Sequence, residues 1–403
     1  MSDTATVGYR SIATREVLVW GLAALANKLP IAMAPLAFVF LARELPGGYT
    51  LGATLAAVWV IAEVVGAPLL GMWFSPRHAR IHLGCGLGLG AVSYAVLGFG
   101  QSLPTWLLFA VTFLSGFGPA ASPGGMRALL TNLVPERDAP KVLSAEAVLN
   151  GLVWAAAPAL VAVLALQAGP GVPMALGAVL DVAAVALVFL LPELTVTDDA
   201  ESAQHTGSRA RTLVSAWPIY LTAAASMAMV STMELVLPAL LESKGIPVAT
   251  VAPLLVVFWV GSVVGGFLYG RRTWPGTVRA QGFVVLLITI TAISLVAVLP
   301  GVVAIGATLA VGGIFQSCVL VTRNLSLRRR LPAAAHTAGY AIMYATTGVG
   351  YSIVAVTAAL VMAHASPTVA ILGGGVISVV IVLASGLAER GGARAVSGDV
   401  PAG

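Results

Sequence analysis

Twelve runs of about twenty apolar residues, each close to the length that crosses a hydrocarbon layer of roughly 30 Å, dominate this chain. They fall at 17–41, 51–72, 81–100, 105–133, 142–166 and 173–191, and again at 217–241, 249–270, 279–299, 302–327, 336–362 and 367–387. A chain that crosses lipid must satisfy every backbone N–H and C=O within itself, and apolar runs of this length do so as α-helices. Charged residues make up only 9% of the 403 positions, against roughly 25% in a soluble domain, too few to cover a water-facing surface. The expectation is an all-α integral membrane protein embedded in a lipid bilayer.

The runs form two series. Val64-Val65-Gly66-Ala67-Pro68-Leu69-Leu70-Gly71, followed by Arg77 and Arg80, returns 199 residues later as Val263-Val264-Gly265-Gly266-Phe267-Leu268-Tyr269-Gly270, followed by Arg271 and Arg272. Gly116 precedes Arg127 by eleven residues and Gly312 precedes Arg323 by eleven, an offset of 196, while Pro35 and Pro238 sit late in the first and seventh runs. Six runs per copy is an even number, so both copies enter the membrane in the same sense, as two parallel six-helix pseudo-repeats. Between them the composition turns polar, with Asp198, Asp199, Glu201, His205, Arg209 and Arg211. The expected organisation is an N-terminal half (1–191), a cytoplasmic polar linker (192–216) and a C-terminal half with a short tail (217–403).

Loop charge fixes the expected orientation. With both termini cytoplasmic, 18 of the 21 basic residues lie on the inner side, Arg43 and Lys244 lie outside, and Lys28 lies within the first run; inner loops of membrane proteins carry such an excess. The net charge of +5 therefore belongs to inner loops, and no nucleic-acid partner is expected. Residues 1–16 lack the pattern of a cleaved signal peptide. Cys85 and Cys318 both fall in apolar runs, which argues against a stabilising disulfide. No phosphate-binding loop, metal-ligand spacing or nucleophile set is present, so the expectations are no enzyme activity, no metal and no cofactor, with energy drawn from an ion or substrate gradient, or not at all. Arg outnumbers Lys eighteen to three and Ala, Val and Gly are abundant, which points to a bacterial source; the overall expectation is a monomeric, multi-pass protein of the bacterial inner membrane.

Parallel six-helix halves resemble the major facilitator superfamily (MFS) of secondary transporters, over nearly the whole chain. That family carries roughly G-x-x-x-D-R-x-G-R-R after its second span, and Gly71-Met72-Trp73-Phe74-Ser75-Pro76-Arg77-His78-Ala79-Arg80 keeps the glycine and the basic end while Ser75 and Pro76 replace the acid and the first base. Of the fifth-span G-P-x-x-G-G, Pro158 survives in Ala157-Pro158-Ala159-Leu160-Val161-Ala162, and the fourth-span arginine of many proton-coupled exporters falls at Thr112. The resemblance implies alternating-access transport of a small organic molecule, with proton-coupled efflux as the expected activity, proton-coupled uptake of a sugar or amino acid as the alternative, and a transporter-like receptor as the alternative of another class.

Charges inside the runs nominate the site. Lys28 and Glu63 reach similar depth in the first two runs, so an ion pair between them is expected, lining the cavity or fixing helix register. Glu234, one turn before Pro238 and with no basic neighbour in sequence, suits a proton carrier or an outer vestibule. Asp181 has no evident partner. By the resemblance, Asn27, Asn150, Gln316, Tyr340 and Tyr344 fall on cavity-lining spans, and Tyr340 and Tyr344 share one face of the eleventh. The resemblance also places Glu146 where related transporters carry an acid that locks the cytoplasmic side, with Arg127 as its partner and Arg323 as the symmetric counterpart of Arg127. The stretch from Gly116 to Gly125, with Pro119 and Pro123, predicts a kinked or broken helix.

Overall fold

A computed structural model describes residues 9–43, 45–46, 48–99, 103–192 and 206–397. The N-terminal residues 1–8 and the acidic part of the linker, 193–205, lie outside them. Every apolar run is helical: α1 (Arg15–Ala42), α2 (Gly48–Trp73), α3 (Ala79–Phe99), α4 (Thr105–Phe117), α5 (Ser122–Asn132), α6 (Ala139–Gln167) and α7 (Val172–Phe189), then, after a short α8 (Thr206–Val214), α9 (Trp217–Ser243), α10 (Val251–Arg271), α11 (Val278–Val296), α12 (Val302–Arg330), α13 (His336–His364) and α14 (Pro367–Ser397). α4 and α5 together form the fourth span, joined by a 3-10 turn at Gly118–Ala121 where the Gly- and Pro-rich stretch predicts a break. Among the described residues eleven spans meet the length and apolarity needed to cross a membrane, and α13, with 29 residues, is about 43 Å long at 1.5 Å per residue. α8, nine residues long, lies within the polar stretch between the two halves.

Local chemistry sets the helix ends. Thr14 accepts a hydrogen bond from the Val17 amide (3.3 Å) to start α1, and Thr277 does the same for Ala280 (3.2 Å) at α11, satisfying amides that the first turn otherwise leaves free. Large apolar side chains stand on the outside, among them Trp106 (70% exposed), Val303 (86%) and Leu387 (69%). In water such a surface is a liability; against lipid it is the solvent-matched face.

Packing divides the chain into two compact units, Met1–Arg209 with Pro332–Ala345, and Ala210–Leu331 with Thr346–Gly403. The same pairings recur in each: α1 on α7 and α9 on α14, α2 on α4 and α10 on α12, α3 on α7 and α11 on α14. Reciprocal glycines make the crossing of the second and fourth spans in both units. In the first, a Cβ on Gly116 would lie 2.5 Å from the Trp59 carbonyl oxygen and one on Gly66 would lie 2.9 Å from Ala120 Cβ. In the second, a Cβ on Gly313 would strike the Phe258 carbonyl oxygen and one on Gly265 the Ile314 carbonyl oxygen. Trp59 and Phe258 are 199 residues apart, as are Gly66 and Gly265, so the sequence repeat is a repeated backbone-to-backbone crossing. The offset of 196 needs correction by one residue here: Gly312 has room for a Cβ, its nearest neighbour being at 3.6 Å, and Gly313 makes the contact.

Pro332–Ala345 joins the first unit because its small residues fit glycine surfaces there. A Cβ on Gly124 would lie 2.6 Å from the Ala341 amide nitrogen and one on Gly71 would lie 2.9 Å from Ala341 Cβ, and Ala341, Ala345, Ala67 and Ala120 pack as one buried cluster. The division by packing therefore departs from the division by repeat at these fourteen residues.

Candidate functional site

In the first unit one carboxylate serves two cations. Arg127 on α5 donates through Nε and Nη2 to both Glu146 oxygens on α6, each at 2.8 Å. Lys28 on α1 places Nζ 3.2 Å from Glu146 Oε1 and donates to Asn150 Oδ1, one turn further along α6, at 3.4 Å. All three ions are buried, Lys28 at 8%, Arg127 at 5% and Glu146 at 3% exposure. Their formal sum is +2 − 1 = +1, and the fork of Arg127 on a carboxylate is the strongest ionic geometry available to side chains. The network ties α1, α5 and α6 together at one level. Ser122 at the start of α5 donates to Asn27 Oδ1 at 2.8 Å, and Trp20 Nε1 donates to the Met126 carbonyl at 2.7 Å, so α1 is held to α5 at two further points.

The Lys28–Glu63 pair expected from depth alone does not form. Lys28 faces α6, where Glu146 and Asn150 lie four residues apart on one face, and Glu63 on α2 instead receives the Tyr344 hydroxyl. Among the described residues no basic side chain pairs with Glu63. It is half-buried, one helical turn after Trp59, whose indole N–H donates to the Tyr94 hydroxyl at 3.1 Å. Tyr340, one turn before Tyr344, is fully buried with its ring 5.5 Å from the Arg127 guanidinium carbon. The two tyrosines that share one face of this helix are thus divided between the two ends of the polar system, Tyr340 on the cation and Tyr344 on the lone acid. Asp181 is buried in the α3–α7 contact, its Oδ2 against Gly90 and without a hydrogen-bond partner.

The second unit carries a parallel arrangement. Glu234 on α9 accepts from the Tyr351 hydroxyl at 3.0 Å and from Trp259 on α10. It too is half-buried and lacks a basic partner among the described residues. Ser231, one turn earlier on α9, donates to the Tyr351 carbonyl at 2.9 Å, which holds α13 against α9 at this level. Gln316 on α12 is buried, accepts from Ser226 at 3.0 Å and directs its amide to Met227 Sδ at 3.6 Å. Arg323 is fully buried, donates to Thr222 at 3.1 Å and lies 5.1 Å from the Phe283 ring centre, while Gly282 provides the space for its guanidinium. Arg127 and Arg323 match in sequence but not in partner: one meets a carboxylate, the other a hydroxyl and an aromatic face.

Tyr351 and Trp259 were not nominated from the sequence. The signal for Tyr351 was present, since residues 340, 344 and 351 lie within about 40° of one another around a helix at about 100° per residue, so α13 carries three tyrosines on one face.

Comparison with known proteins agrees with this architecture. The Major Facilitator Superfamily profile matches residues 20–307. No curated protein sequence matches the chain. Among solved structures, the chain is similar to the human organic anion transporter MFSD10 (TETRAN), with a TM-score of 0.71, 16% identity and coverage of 92% of this chain and 99% of that one. It is similar to a bacterial homologue of the iron transporter ferroportin in its outward-facing state, at 0.69, 16%, 93% and 100%. It is also similar to the transporter FucP in its outward conformation, at 0.65, 16%, 92% and 97%. At such identities the likeness is one of fold, and with the profile spanning most of the chain it leads to one assignment: this multi-pass membrane protein belongs to the Major Facilitator Superfamily, and by family and fold it is a transporter.

Proposed function

We propose that the protein exports a small organic molecule across a bacterial cytoplasmic membrane in exchange for protons, working as a monomer with both termini in the cytoplasm. The observation that carries this reading is the pair of half-buried carboxylates Glu63 and Glu234, each inside a spanning helix, each held by a tyrosine hydroxyl and neither neutralised by a base among the described residues. An acid in such a place takes up and gives back a proton with little else to rearrange, and ionisable groups inside spans serve ion pathways by default. Asn150 and Tyr344, also half-buried, supply polar contacts for a solute. Asn27 and Tyr340 in the first unit and Gln316 in the second are buried and shape the interior of their own units. Arg127, Glu146 and Lys28 act as a brace that keeps α1, α5 and α6 aligned through alternating access, and Arg323 does the same for α9, α11 and α12. Among the similar structures, FucP is described as a fucose:proton symporter, so proton coupling is compatible with this fold.

The deciding experiment reconstitutes the protein in proteoliposomes with an imposed pH gradient and follows the internal pH while solutes are offered from the cytoplasmic side. Export reads as solute leaving as protons enter, and Glu63→Gln or Glu234→Gln abolishes the exchange. Solute entering together with protons would replace export by uptake, and no proton movement with any solute would remove the coupling.

A further inference from the structure

The guanidinium groups of the second unit fall into two sets. Arg279 donates to the Gly386 carbonyl at 2.8 Å and Arg323 to Thr222 at 3.1 Å, so the fold itself uses both. Arg271 and Arg272, at the end of α10, and Arg329, near the end of α12, are exposed and donate to no other described residue. The acids of this unit with described side chains, Glu234 and Glu242, lie in the half of α9 that leads to the start of α10, the far end of α10 from these arginines.

Aromatic rings hold the two α10 arginines in place. The Arg271 guanidinium carbon lies 5.8 Å from the Phe267 ring centre and that of Arg272 lies 5.9 Å from the Trp274 ring centre. A guanidinium over a ring keeps its N–H groups in its own plane, directed past the ring, where a phosphate can accept two of them through two oxygens. The connection that carries Arg272 and Trp274 is pinned to both of its helices. Trp274 stacks on Tyr269 with ring centres 6.0 Å apart and donates its indole N–H to the Tyr269 carbonyl at 3.1 Å. Gln281 on α11 accepts from the Tyr269 hydroxyl at 2.6 Å and turns its amide to the carbonyls of Trp274, Pro275 and Gly276 at 3.0, 3.2 and 3.3 Å. Arg329 acts electrostatically on the same Tyr269 hydroxyl, so three guanidinium groups gather at one rigid hairpin.

An apolar stripe leads to them. Val256, Val260, Val264, Phe267 and Arg271 lie within about 80° of one another around α10 at about 100° per residue, and all five are exposed. From Val260 to Arg271 the helix rises about 16 Å at 1.5 Å per residue, close to half of a hydrocarbon layer of roughly 30 Å. A free anion would use the guanidinium groups alone, whereas a lipid uses the cations and the stripe together.

We infer that the α10–α11 hairpin is a binding site for an anionic phospholipid of the adjoining leaflet. Arg271, Arg272 and Arg329 hold its phosphate, and an acyl chain lies along Val264 and Val260. In the orientation proposed above this is the cytoplasmic leaflet, whose negative surface potential draws basic clusters to it. Binding needs neither cargo nor proton gradient, so this site and the export reading stand or fall separately.

The test uses the purified full chain in detergent, titrated with dioleoylphosphatidylglycerol or dioleoylphosphatidylcholine, with bound lipid counted by native mass spectrometry. The two lipids share their chains and phosphate and differ in net charge. The first phosphatidylglycerol is expected to bind at least tenfold more tightly than the first phosphatidylcholine. The joint variant Arg271→Gln, Arg272→Gln and Arg329→Gln removes that preference. Phe267→Leu with Trp274→Leu, which keeps every charge but loses the rings, weakens phosphatidylglycerol binding at least threefold, and Arg77→Gln in the first unit leaves it within twofold. Gel filtration identifies any variant that misfolds, and the preference of the unaltered protein needs no variant. Equal binding of the two lipids, a preference unchanged in the joint Gln variant, or a loss in Arg77→Gln as large as in that variant would each overturn the inference. Glycerol 1-phosphate displacing the lipid at equal concentration would also overturn it and assign the arginines to a free phosphate.

Discussion

Replacing Glu146 by Gln removes the single negative charge of a buried cluster that holds two positive ones. At an effective dielectric of about 20, a unit pair 3.2 Å apart attracts by about 5 kcal/mol, and the closer bidentate contact to Arg127 at 2.8 Å attracts slightly more. Most of this is offset by desolvation when all partners are present. When the acid alone is removed the offset stays, and breaking one buried pair costs about 3–5 kcal/mol. With both Arg127 and Lys28 stranded, Glu146→Gln should fall at the upper end of that range. Lys28→Met has the opposite logic: it removes the surplus charge and leaves a neutral Arg127–Glu146 fork, so its effect should stay within about 1 kcal/mol of zero. The double variant strands one cation instead of two and should recover about 1–3 kcal/mol relative to Glu146→Gln, a coupling typical of residues sharing one network. Equilibrium unfolding in mixed micelles with increasing dodecyl sulfate, followed by tryptophan fluorescence, measures all three. A Glu146→Gln variant within about 1 kcal/mol of the parent, or a double variant that loses the sum of the single effects, would refute the charge accounting.

Four further outcomes are expected. Gly265→Ala and Gly313→Ala drive a methyl into the carbonyl oxygens of Ile314 and Phe258 and should each destabilise by about 1–3 kcal/mol or more. Gly373→Ala, which meets nothing within 4 Å, should gain up to about 1 kcal/mol; equal effects at all three sites in the same unfolding experiment would remove the crossing argument. Trp59→Phe deletes the indole donor to Tyr94 and should cost about 1–3 kcal/mol by leaving a buried hydroxyl short of a partner, read from the shift in unfolding midpoint. Tyr351→Phe takes the hydroxyl from Glu234 while keeping the ring, so exchange in proteoliposomes should change its pH profile with little loss of stability; an unchanged profile would separate Tyr351 from the acid. In a Cys85→Ala/Cys318→Ala background, Arg329→Cys should resist an impermeant maleimide added to intact cells and Ser243→Cys should react, and the reverse pattern would invert the proposed orientation.

How legible the site was depended on which coordinate was asked for. Depth in the membrane is nearly one-dimensional, and the sequence places Lys28 and Glu63 at similar levels from residue count alone. Azimuth is different. Helices that are apolar on every side carry no stripe to say which face turns inward, so nothing in α1 or α2 announces that Lys28 turns to α6 and Glu63 to α13. Arg127 and Glu146 met because both lie within two turns or so of the tight connection that joins α5 to α6, which constrains both coordinates together. Tyr351 went unnoticed although it shares a face with Tyr340 and Tyr344, because a tyrosine on an apolar helix gains meaning only when Glu234 is seen across from it.

The sequence by itself determined the class, the helices and the doubling, since lipid allows few backbone solutions and a 199-residue echo of glycines and arginines demands two equivalent crossings. Only the tertiary structure decided partners. It gave Glu146 two cations and left Glu63 and Glu234 to tyrosines, moved the close contact from Gly312 to Gly313, and set Pro332–Ala345 against the glycines of the first unit. The physical reason is common to all of these: rotation about a helix axis and contact between residues far apart in sequence are fixed by close packing, which no local pattern in an almost wholly apolar chain encodes.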